Sequence, residues 1–330
     1  MRTGRIKISP TESAAVYHCI SRTVNGEHLF GDADREMFRR QMWQVAEYCG
    51  VEVITYAVMA NHFHILVHIP AAGSVSDAEL LRRHRVLYPK PTQYQTARLE
   101  VLEQKLAADG EDMKRWRTQQ LALMGDVSQF MKLLKQRFTI WFNRAHKRFG
   151  TIWSERFKSV LVENGAALRV MAAYIDLNPI RAGLARDPKD YRYCGYAEAV
   201  AGNKKLRASL SAAFELSEWK TAHNHYRQVL FGGGSRRKNN QASLSAARVE
   251  KVIAEQGALS AAELLRCKVK YFTHGAVFGG REFVSEQLRR CRKRAGSRKK
   301  TPPRNLPIIS GCGELAVLRG FRRALSAAGA

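Results

Sequence analysis

The sequence predicts an α+β fold in which helices pack on one antiparallel sheet. Segments rich in strand-favouring residues alternate with segments of helical periodicity between residues 16 and 177. Two of the predicted strands are separated only by Ala60 and Asn61, a spacing typical of an antiparallel hairpin. Apolar residues make up 45% of the chain, which is the ordinary share for a globular protein with a buried core.

The first part of the sheet is predicted from a β-α-β-β run. Residues 16–23 favour a strand, and residues 32–49 repeat apolar side chains near helical spacing. Residues 51–59 and 62–69 then form the two strands of the hairpin, and Pro70 halts the second strand. An α-helix between the first two strands and a hairpin after it favour a sheet with its helices on one face.

The second part completes the pattern. Residues 127–146 predict an amphipathic helix, residues 157–163 a strand, and residues 166–177 a helix that ends before Pro179. The order β-α-β-β-α-β-α fits a ferredoxin-like (RRM-like) antiparallel sheet for its first six elements, with the last helix added. Residues 71–124 are polar and helical without strand signals, and we interpret them as an insertion.

Three regions are predicted along the chain. Residues 1–200 form the sheet domain, residues 201–242 a helical segment with a basic linker, and residues 243–330 a small, basic, helical C-terminal region. Short helices are predicted in this last region at 244–255, 261–266 and 281–294, around a turn-rich segment at 273–280. Their spacing loosely matches a helix-turn-helix unit.

The charge of the chain predicts a polyanionic partner. There are 55 Lys and Arg against 29 Asp and Glu, a formal charge of +26, and the basic residues are spread along the chain. Nucleic acid fits this distribution better than an acidic membrane, because no apolar run is long enough to cross a bilayer. We therefore expect a cytoplasmic, nucleoid-associated protein. The six cysteines contain no CxxC pair and are interpreted as reduced thiols.

A histidine pattern lies on the second strand of the hairpin. Alternation places His62, His64 and His68 on one face of the strand, with apolar side chains on the other. Two imidazoles so placed can converge on one cation, whereas surface histidines on a sheet are the commoner explanation of an isolated HxH pattern. His68 is one step beyond the pair, and we interpret it as an outer or surface residue.

A second pattern lies at the end of the last helix. Tyr174 and Asn178 are four residues apart, so a helix places them about 5 to 6 Å apart on one face. That spacing can hold a phenol and an amide oxygen beside one metal ion. A buried tyrosine followed by an asparagine helix stop fits the same residues equally well. Asp176 would face elsewhere, and it is a candidate proton acceptor only if the helix end bends.

Four motifs together resemble one family. The chain carries YHCISR at 17–22, MANHFH at 59–64, WSERFK at 153–158 and YIDLNPIRAG at 174–183. In this order they closely resemble the REP-associated tyrosine transposases, which belong with the small, single-tyrosine HUH transposases of bacterial insertion sequences. The likeness runs from about residue 16 to residue 196, and several motifs in order are far more specific than one.

This resemblance implies an HUH nuclease fold and a set of roles. His62 and His64 would be metal ligands, Asn178 would take the place of the third, amide ligand, and Tyr174 would attack a DNA phosphate. The implied reaction is the cleavage and transfer of single-stranded or hairpin DNA through a 5′-phosphotyrosine, in transposition or a domesticated derivative of it. Both a homodimer and a monomer are consistent with the family.

The chemistry of these residues agrees with a divalent ion. Two imidazoles favour Mn²⁺ and cellular abundance favours Mg²⁺, so the cofactor is expected to be one of the two. Two other functions stay open, namely a non-catalytic nucleic-acid-binding regulator on the same fold and a metal-dependent hydrolase with water as the nucleophile.

Basic and aromatic residues near these motifs are candidates for DNA contact. Trp141 and Trp153 are available to stack on unpaired bases, although tryptophans are more often core residues. Single basic residues are more often solvated surface residues. The candidates for phosphate contact are Arg22, Lys132, Lys135, Arg137, Arg156, Lys158 and Arg181.

Overall fold

A computed structural model describes residues 5–89, 99–108, 110–231, 271–295, 303–306 and 314–319. The strands are β1 Ala15–Arg22, β2 Glu52–Val58, β3 His62–Ile69, β4 Lys158–Val162, β5 Gly275–Gly280, β6 Arg304–Asn305 and β7 Leu315–Arg319. The helices are α1 Asp32–Cys49, α2 Asp77–Leu87, α3 Leu99–Ala107, α4 Glu111–Leu121, α5 Val127–Ala145, α6 Ala166–Asp176, α7 Asn178–Arg181, α8 Gly195–Val200, α9 Lys204–Ala212, α10 Trp219–Phe231, α11 Tyr271–His274 and α12 Arg281–Ala295.

The strands form one sheet in the order β2-β3-β1-β4-β5-β7-β6. Its first four strands are antiparallel to their neighbours, with β1 and β3 in the centre. With α1 between β1 and β2, and α5 between β3 and β4, this is the ferredoxin-like arrangement. The predicted α+β fold and its ferredoxin-like sheet are confirmed.

One face of the sheet is covered by α1 and α5. The ring centroid of Phe38 on α1 lies 4.6 Å from that of Phe63 on β3 and 5.1 Å from that of Phe138 on α5. Phe30, in the loop before α1, adds its ring 5.3 Å from Phe138. All four rings are buried, and aromatic pairs at these distances favour edge-to-face packing. This layer is the main apolar core.

The other face of the sheet carries α6. It packs against β2, β3, β4 and β5, and every residue from Ala167 to Asp176 except Arg169 is buried. The histidines of β3 face this helix, because they alternate with Phe63 and Ile65 on the core side. The strand alternation seen in the sequence therefore separates a structural face from a face that carries polar groups.

The insertion is helical, as predicted. It contains α2, α3 and α4 in its described part. Ser76 caps the start of α2, because its hydroxyl accepts a hydrogen bond from the backbone N–H of Glu79. Leu80 and Leu87 of α2 are buried, and α2 packs on α1. The insertion thus extends the helical layer on the core face, away from the histidines.

The turn predicted at 273–280 is wrong. Residues 275–280 form β5, which runs parallel to β4, with Leu161 opposite Val277, and antiparallel to β7. Three glycines in six residues look like a turn locally, but Gly279 is needed for close packing, because a Cβ there would lie 2.7 Å from the Cβ of Glu163. The region is therefore not purely helical, and its strands enlarge the main sheet.

Other predictions for the C-terminal part have mixed outcomes. The helix at 281–294 is present as α12. The predicted helices at 244–255 and 261–266 and the glycine-rich linker after residue 231 lie outside the described residues, and the division into three regions stays a prediction. Cys19, Cys49, Cys194 and Cys291 are free thiols. In the ranges that the structure describes, no helix is long and apolar enough to span a bilayer.

Candidate metal and nucleophile site

His62 and His64 lie next to each other on β3, on the face that carries α6. Their ring centroids are 5.2 Å apart and the rings are nearly perpendicular. The register places Arg22 opposite His62 and Ile20 opposite His64. His62 is half-buried at the end of the strand, whereas His64 is only 2% exposed. The pair therefore spans the boundary between solvent and the interior.

His18 on β1 extends this pair into the interior. Its Nε2 lies 2.9 Å from Nδ1 of His64, and its Nδ1 lies 2.9 Å from the backbone carbonyl oxygen of Phe272 on α11. A carbonyl oxygen only accepts, so the proton of a neutral His18 is on Nδ1 and its Nε2 accepts from His64. The hydrogen-bond partners thus assign the proton of His64 to Nδ1, which leaves Nε2 with the lone pair.

The protonation of both buried histidines suits metal binding. Burial lowers the pKa of His18 to about 3, the carbonyl of Phe272 opposing the shift and the charge of Arg181 adding to it. Burial also lowers the pKa of His64 well below its usual value, and the neighbouring histidines add to this effect. Both rings are therefore neutral near pH 7, and neutral imidazole is the form that binds metal ions.

The orientation of His62 is set by its neighbour in the chain. Nδ1 of His62 lies 2.7 Å from Oδ1 of Asn61, whose amide nitrogen donates to the carbonyl of Gly26. Since the Asn61 oxygen accepts, Nδ1 of His62 donates, and in the neutral ring Nε2 carries the lone pair. A histidine that donates through one ring nitrogen commonly binds a metal with the other. The donor chemistry of His62 and His64 therefore fits a divalent ion.

Tyr174 on α6 lies beside these rings. Its ring centroid is 6.0 Å from that of His64 and 6.2 Å from that of His18. Phe272 stacks on it at 4.4 Å, and the guanidinium carbon of Arg181 lies 4.2 Å from its centroid. The structure thus brings the tyrosine and both histidines to one face of the sheet.

The surroundings of Tyr174 disfavour ionisation of its phenol. The residue is only 4% exposed, and burial raises the pKa of its phenol above 10, although the charges of Arg181 and Arg22 oppose this shift. A nucleophilic phenolate there requires further positive charge or access to a proton acceptor.

Asn178 has a structural role that its sequence position also suggested. It begins α7, and its Nδ2 donates to the backbone carbonyls of Tyr174, at 3.2 Å, and Ile175, at 3.0 Å. The amide nitrogen therefore caps α6 and only Oδ1 has the chemistry of a ligand. In the part of the chain that the structure describes, no three His, Cys, Asp or Glu side chains are grouped to hold a metal.

Asp176 and His68 are placed away from this group. The carboxyl of Asp176 accepts a 2.7 Å hydrogen bond from the hydroxyl of Thr55 and one from Tyr226, and burial raises its pKa to about 7. The helix end does not bend toward Tyr174, so the suggestion that Asp176 is the proton acceptor is wrong. His68 pairs through Nδ1 with Glu52 at 2.7 Å, as expected for a surface residue.

The basic residues divide into two groups. Arg22 is opposite His62, Lys158 begins β4 opposite Ile20, and both are exposed on the face of the histidines. Arg156 is exposed just before Lys158, and Arg181 covers Tyr174. Of these four candidates for phosphate contact, Arg22, Lys158 and Arg181 lie on the face of the histidines and the tyrosine.

The other group lies in the helical layer. Lys132, Lys135 and Arg137 belong to α5, on the opposite face of the sheet. Arg137 donates to the carbonyl of Leu87 at 3.1 Å and lies over the ring of Tyr88. Lys135 donates to the carbonyl of Glu155, and burial lowers its pKa to about 8. Of these three residues, Lys132 is exposed and the other two are half-buried. The DNA contacts of this group stay predictions.

The tryptophans lie in or beside the core, the commoner of the two explanations given for them. Trp153 is 7% exposed, its ring packs 5.5 Å from that of Phe63, and its Nε1 donates to the hydroxyl of Thr139 at 2.8 Å. A ring held in the core by these contacts cannot stack on a base. Trp141 is half-buried, with its ring 5.8 Å from that of Phe138. The suggestion of base stacking at Trp153 is therefore wrong, because the fold uses this ring to join α5 to the sheet.

Comparison with known proteins shows that one part of the chain matches a family model. Residues 11–79 match the family model described as "Transposase IS200 like". These residues, which form the IS200-like segment, are similar to IS200-like transposases. The IS200-like segment contains β1, α1, β2 and β3, and with them His18, His62 and His64, whereas Tyr174 and Asn178 lie beyond it. The resemblance predicted from the motifs is thus confirmed at the level of the transposase family.

Solved structures give a weaker likeness. One is described as "Structure of the REP associates tyrosine transposase bound to a REP hairpin"; it is 15% identical, covers 61% of this chain and 85% of its own, and superimposes with a TM-score of 0.35. No curated protein sequence matches the chain. The likeness to IS200-like transposases therefore rests on the sequence of residues 11–79.

Two features of the site were not predicted. His18 lies within the YHCISR motif. The signal that could have identified it is a single histidine in an apolar strand next to the strand with the HxH pattern. Phe272 gave no signal, because its carbonyl reaches the site only through the pairing of β5 with β4.

Proposed function

We propose that the protein is a metal-dependent single-stranded DNA endonuclease and strand transferase with Tyr174 as the nucleophile. The observation that carries this proposal is the 6.0 Å separation of the ring centroids of Tyr174 and His64. A phenol, two neutral imidazoles and exposed basic side chains on one face of a sheet are the groups that phosphoryl transfer by a tyrosine requires.

His62 and His64 would hold the metal, with Asn178 as the third ligand. Their lone-pair nitrogens and the amide oxygen accept either Mg²⁺ or Mn²⁺. The ion, when bound, supplies Lewis-acid activation of the scissile phosphate. His18 keeps the proton of His64 on Nδ1, which leaves the lone pair on Nε2, and Arg181 and Arg22 add positive charge that favours the phenolate of Tyr174.

The chemical step conserves the phosphodiester bond energy. The oxygen of Tyr174 loses its proton and forms a bond to phosphorus, the bond from phosphorus to the 3′ oxygen breaks, and the departing 3′-hydroxyl takes up a proton. The product is a 5′-phosphotyrosine and a free 3′-hydroxyl, which can attack that link in the reverse sense. No high-energy cofactor is needed for this exchange.

The proposed substrate is single-stranded or hairpin DNA. The charge of +26 supports a nucleic acid, and Arg22, Lys158 and Arg181 surround the tyrosine where a phosphate must lie. The resemblance to REP-associated transposases supports a palindromic hairpin. Such a role is DNA transposition or a domesticated derivative of it, on the nucleoid DNA of the cytoplasm.

A specific observation supports a second function. Tyr174 is 4% exposed beneath Phe272, and its phenol pKa is raised by burial. A regulator that binds nucleic acid on the same face and performs no cleavage needs no access to this oxygen. In this second proposal the protein binds the same DNA but does not cleave it.

The test uses the full chain and a labelled DNA hairpin with single-stranded extensions. With Mn²⁺ we expect a covalent protein–DNA band on a denaturing gel, absent with EDTA and absent in Tyr174→Phe, which still binds the hairpin. Tyr88→Phe, in the insertion, is the matched control and keeps the band. Cleavage without a band supports a hydrolase, and binding without cleavage supports the regulator; either result overturns the proposed reaction.

A further inference from the structure

The loop between α5 and β4 presents one exposed aromatic side chain. Phe149 is 95% exposed, against 53% for both Ile140 and Leu184, the other large apolar side chains that are exposed in the described residues. Single exposed apolar residues are ordinary, so exposure by itself indicates no ligand. The construction of the loop and its charge provide the further evidence.

The loop is held in place on both sides of Phe149. The backbone N–H of Arg148 donates to the carbonyl of Asn143 at 2.8 Å, and the side-chain amide of Asn143 donates to the carbonyl of Gly150 at 2.8 Å. Lys147 has a φ of 49° and Gly150 a φ of 83°, so the chain bends sharply before and after the aromatic residue. The ring is thus displayed by an ordered loop.

The surroundings of Phe149 are strongly basic. Between residues 127 and 154 the chain has no Asp or Glu, and it has six Lys or Arg. Three of these, Arg144, Lys147 and Arg148, are exposed and lie within five residues of Phe149 in the chain. An aromatic ring between exposed cations is the arrangement that single-stranded nucleic acid binds, because bases stack on the ring while phosphates contact the cations.

The loop is joined directly to the candidate site. Thr23, the residue after β1, forms a β-bridge with Trp153, and the backbone N–H of Ser154 donates to the carbonyl of Arg22 at 3.0 Å. Arg22 is in turn opposite His62. Phe149 is four positions before Trp153, a distance of at most about 14 Å along an extended chain. The loop therefore lies at the end of the sheet where His62 reaches solvent.

We propose that Phe149 stacks on an unpaired base of the DNA strand, with Arg144, Lys147 and Arg148 on the flanking phosphates. The single strand then lies along the α5–β4 loop before it reaches His62. This inference rests on the proposed DNA substrate and adds the position at which an unpaired base is bound. Stacking is tolerant of sequence, so the loop positions the strand and does not select its bases.

The first test measures binding to a DNA hairpin with a mixed-sequence single-stranded extension, in EDTA so that no cleavage occurs. Phe149→Ala is expected to weaken binding about 5- to 100-fold, from the typical contribution of one stacked base. Phe149→Trp should retain the affinity, and Phe149→Leu, which keeps an apolar side chain without a flat ring, should weaken binding as Ala does. Ile140→Ala is the control and should not change binding.

The second test locates the base. Tryptophan fluorescence of Phe149→Trp, corrected for that of the wild-type protein, should be quenched by the hairpin with an extension and not by a blunt duplex of the same length. Equal quenching by both DNAs, or wild-type affinity in both Phe149→Ala and Phe149→Leu, would overturn the proposal. A response to anionic lipid vesicles in place of DNA would also overturn it and would assign the loop to a membrane surface.

Failure of this inference is distinguishable from failure of the proposed function. Quenching and affinity are measured without metal and in the Tyr174→Phe background, so they do not depend on cleavage. If the covalent adduct forms while Phe149→Ala binds normally, the reaction stands and the stacking position is wrong. If no adduct forms while the fluorescence is quenched, the stacking position stands and the chemistry is wrong.

Discussion

Nε2 of His18 lies 2.9 Å from Nδ1 of His64, and the centroids of these two rings are 5.1 Å apart. His18 is itself held by the carbonyl of Phe272, so a backbone oxygen from the C-terminal part of the chain determines the tautomer of both rings. His18 does not face the proposed metal. It orients the ring of His64, the proposed ligand.

The first prediction concerns this orientation. His18→Ala should lower the affinity for Mn²⁺ about 10- to 100-fold, the usual effect of losing a partner that orients a metal ligand. Isothermal titration calorimetry without DNA measures this directly, and His64→Ala should remove the binding. His68→Ala is the matched control, because His68 pairs with Glu52 and should leave the affinity unchanged. Unchanged affinity in His18→Ala contradicts the orienting role.

A second prediction concerns the ionisation of Tyr174. Because burial is the main cause of its raised pKa, Phe272→Ala should admit water and lower that pKa, so adduct formation should reach half its maximal rate at a lower pH than in the wild type. Arg181→Met removes a charge that lowers the pKa, and should move the midpoint to higher pH. Arg181→Lys keeps the charge, so its midpoint should lie close to that of the wild type. Shifts of the same sign in Phe272→Ala and Arg181→Met would be inconsistent with this electrostatic account.

A third prediction separates the two groups of basic residues. Arg22→Ala and Lys158→Ala should weaken hairpin binding and each reduce the slope of log K against log salt by about 0.7 to 0.9. Lys158 pairs with Glu155 at 2.7 Å in an exposed ion pair, which is weak enough to exchange for a phosphate. Arg137→Ala should keep both the affinity and the slope, since its guanidinium is engaged with Leu87 and Tyr88. A reduced slope in Arg137→Ala would instead place DNA on the helical face.

A fourth prediction concerns Asp176 and stability. Its pKa is about 7 in the folded chain against 3.8 as the reference, so the folded state holds a proton between these values that the unfolded state has lost. The stability from this group is therefore present below about pH 4 and is lost as the pH rises through 7, by roughly 4 kcal/mol at most.

Asp176→Asn should remove this dependence. The difference in unfolding free energy between pH 5 and pH 8, measured with urea, should be smaller in the variant than in the wild type. Because Asp176 contacts Thr55 and Tyr226, the variant should form the covalent adduct normally at pH 8. Loss of the adduct in a stably folded Asp176→Asn protein would show that Asp176 takes part in the reaction.

The sequence determined the local elements of this protein. The predicted strand at 62–69 has the bounds of β3, and the helix predicted at 127–146 is α5 with one residue fewer. Alternation along β3 also predicted the shared face of His62 and His64, because the direction of side chains in a strand depends only on parity along the chain. These features depend on residues close together in sequence, where periodicity and turn-forming residues are informative.

The tertiary structure decided which residues surround these local elements. That His18 supports His64, that Trp153 is a core residue, and that residues 275–280 are a strand all depend on partners 46, 90 and more than 100 residues away. Glycines at 275, 279 and 280 have no preference that marks a strand, and only the backbone groups offered by β4 and β7 make one. The sequence thus specified which groups are available for chemistry, and long-range pairing determined which of them are buried together and in which protonation state.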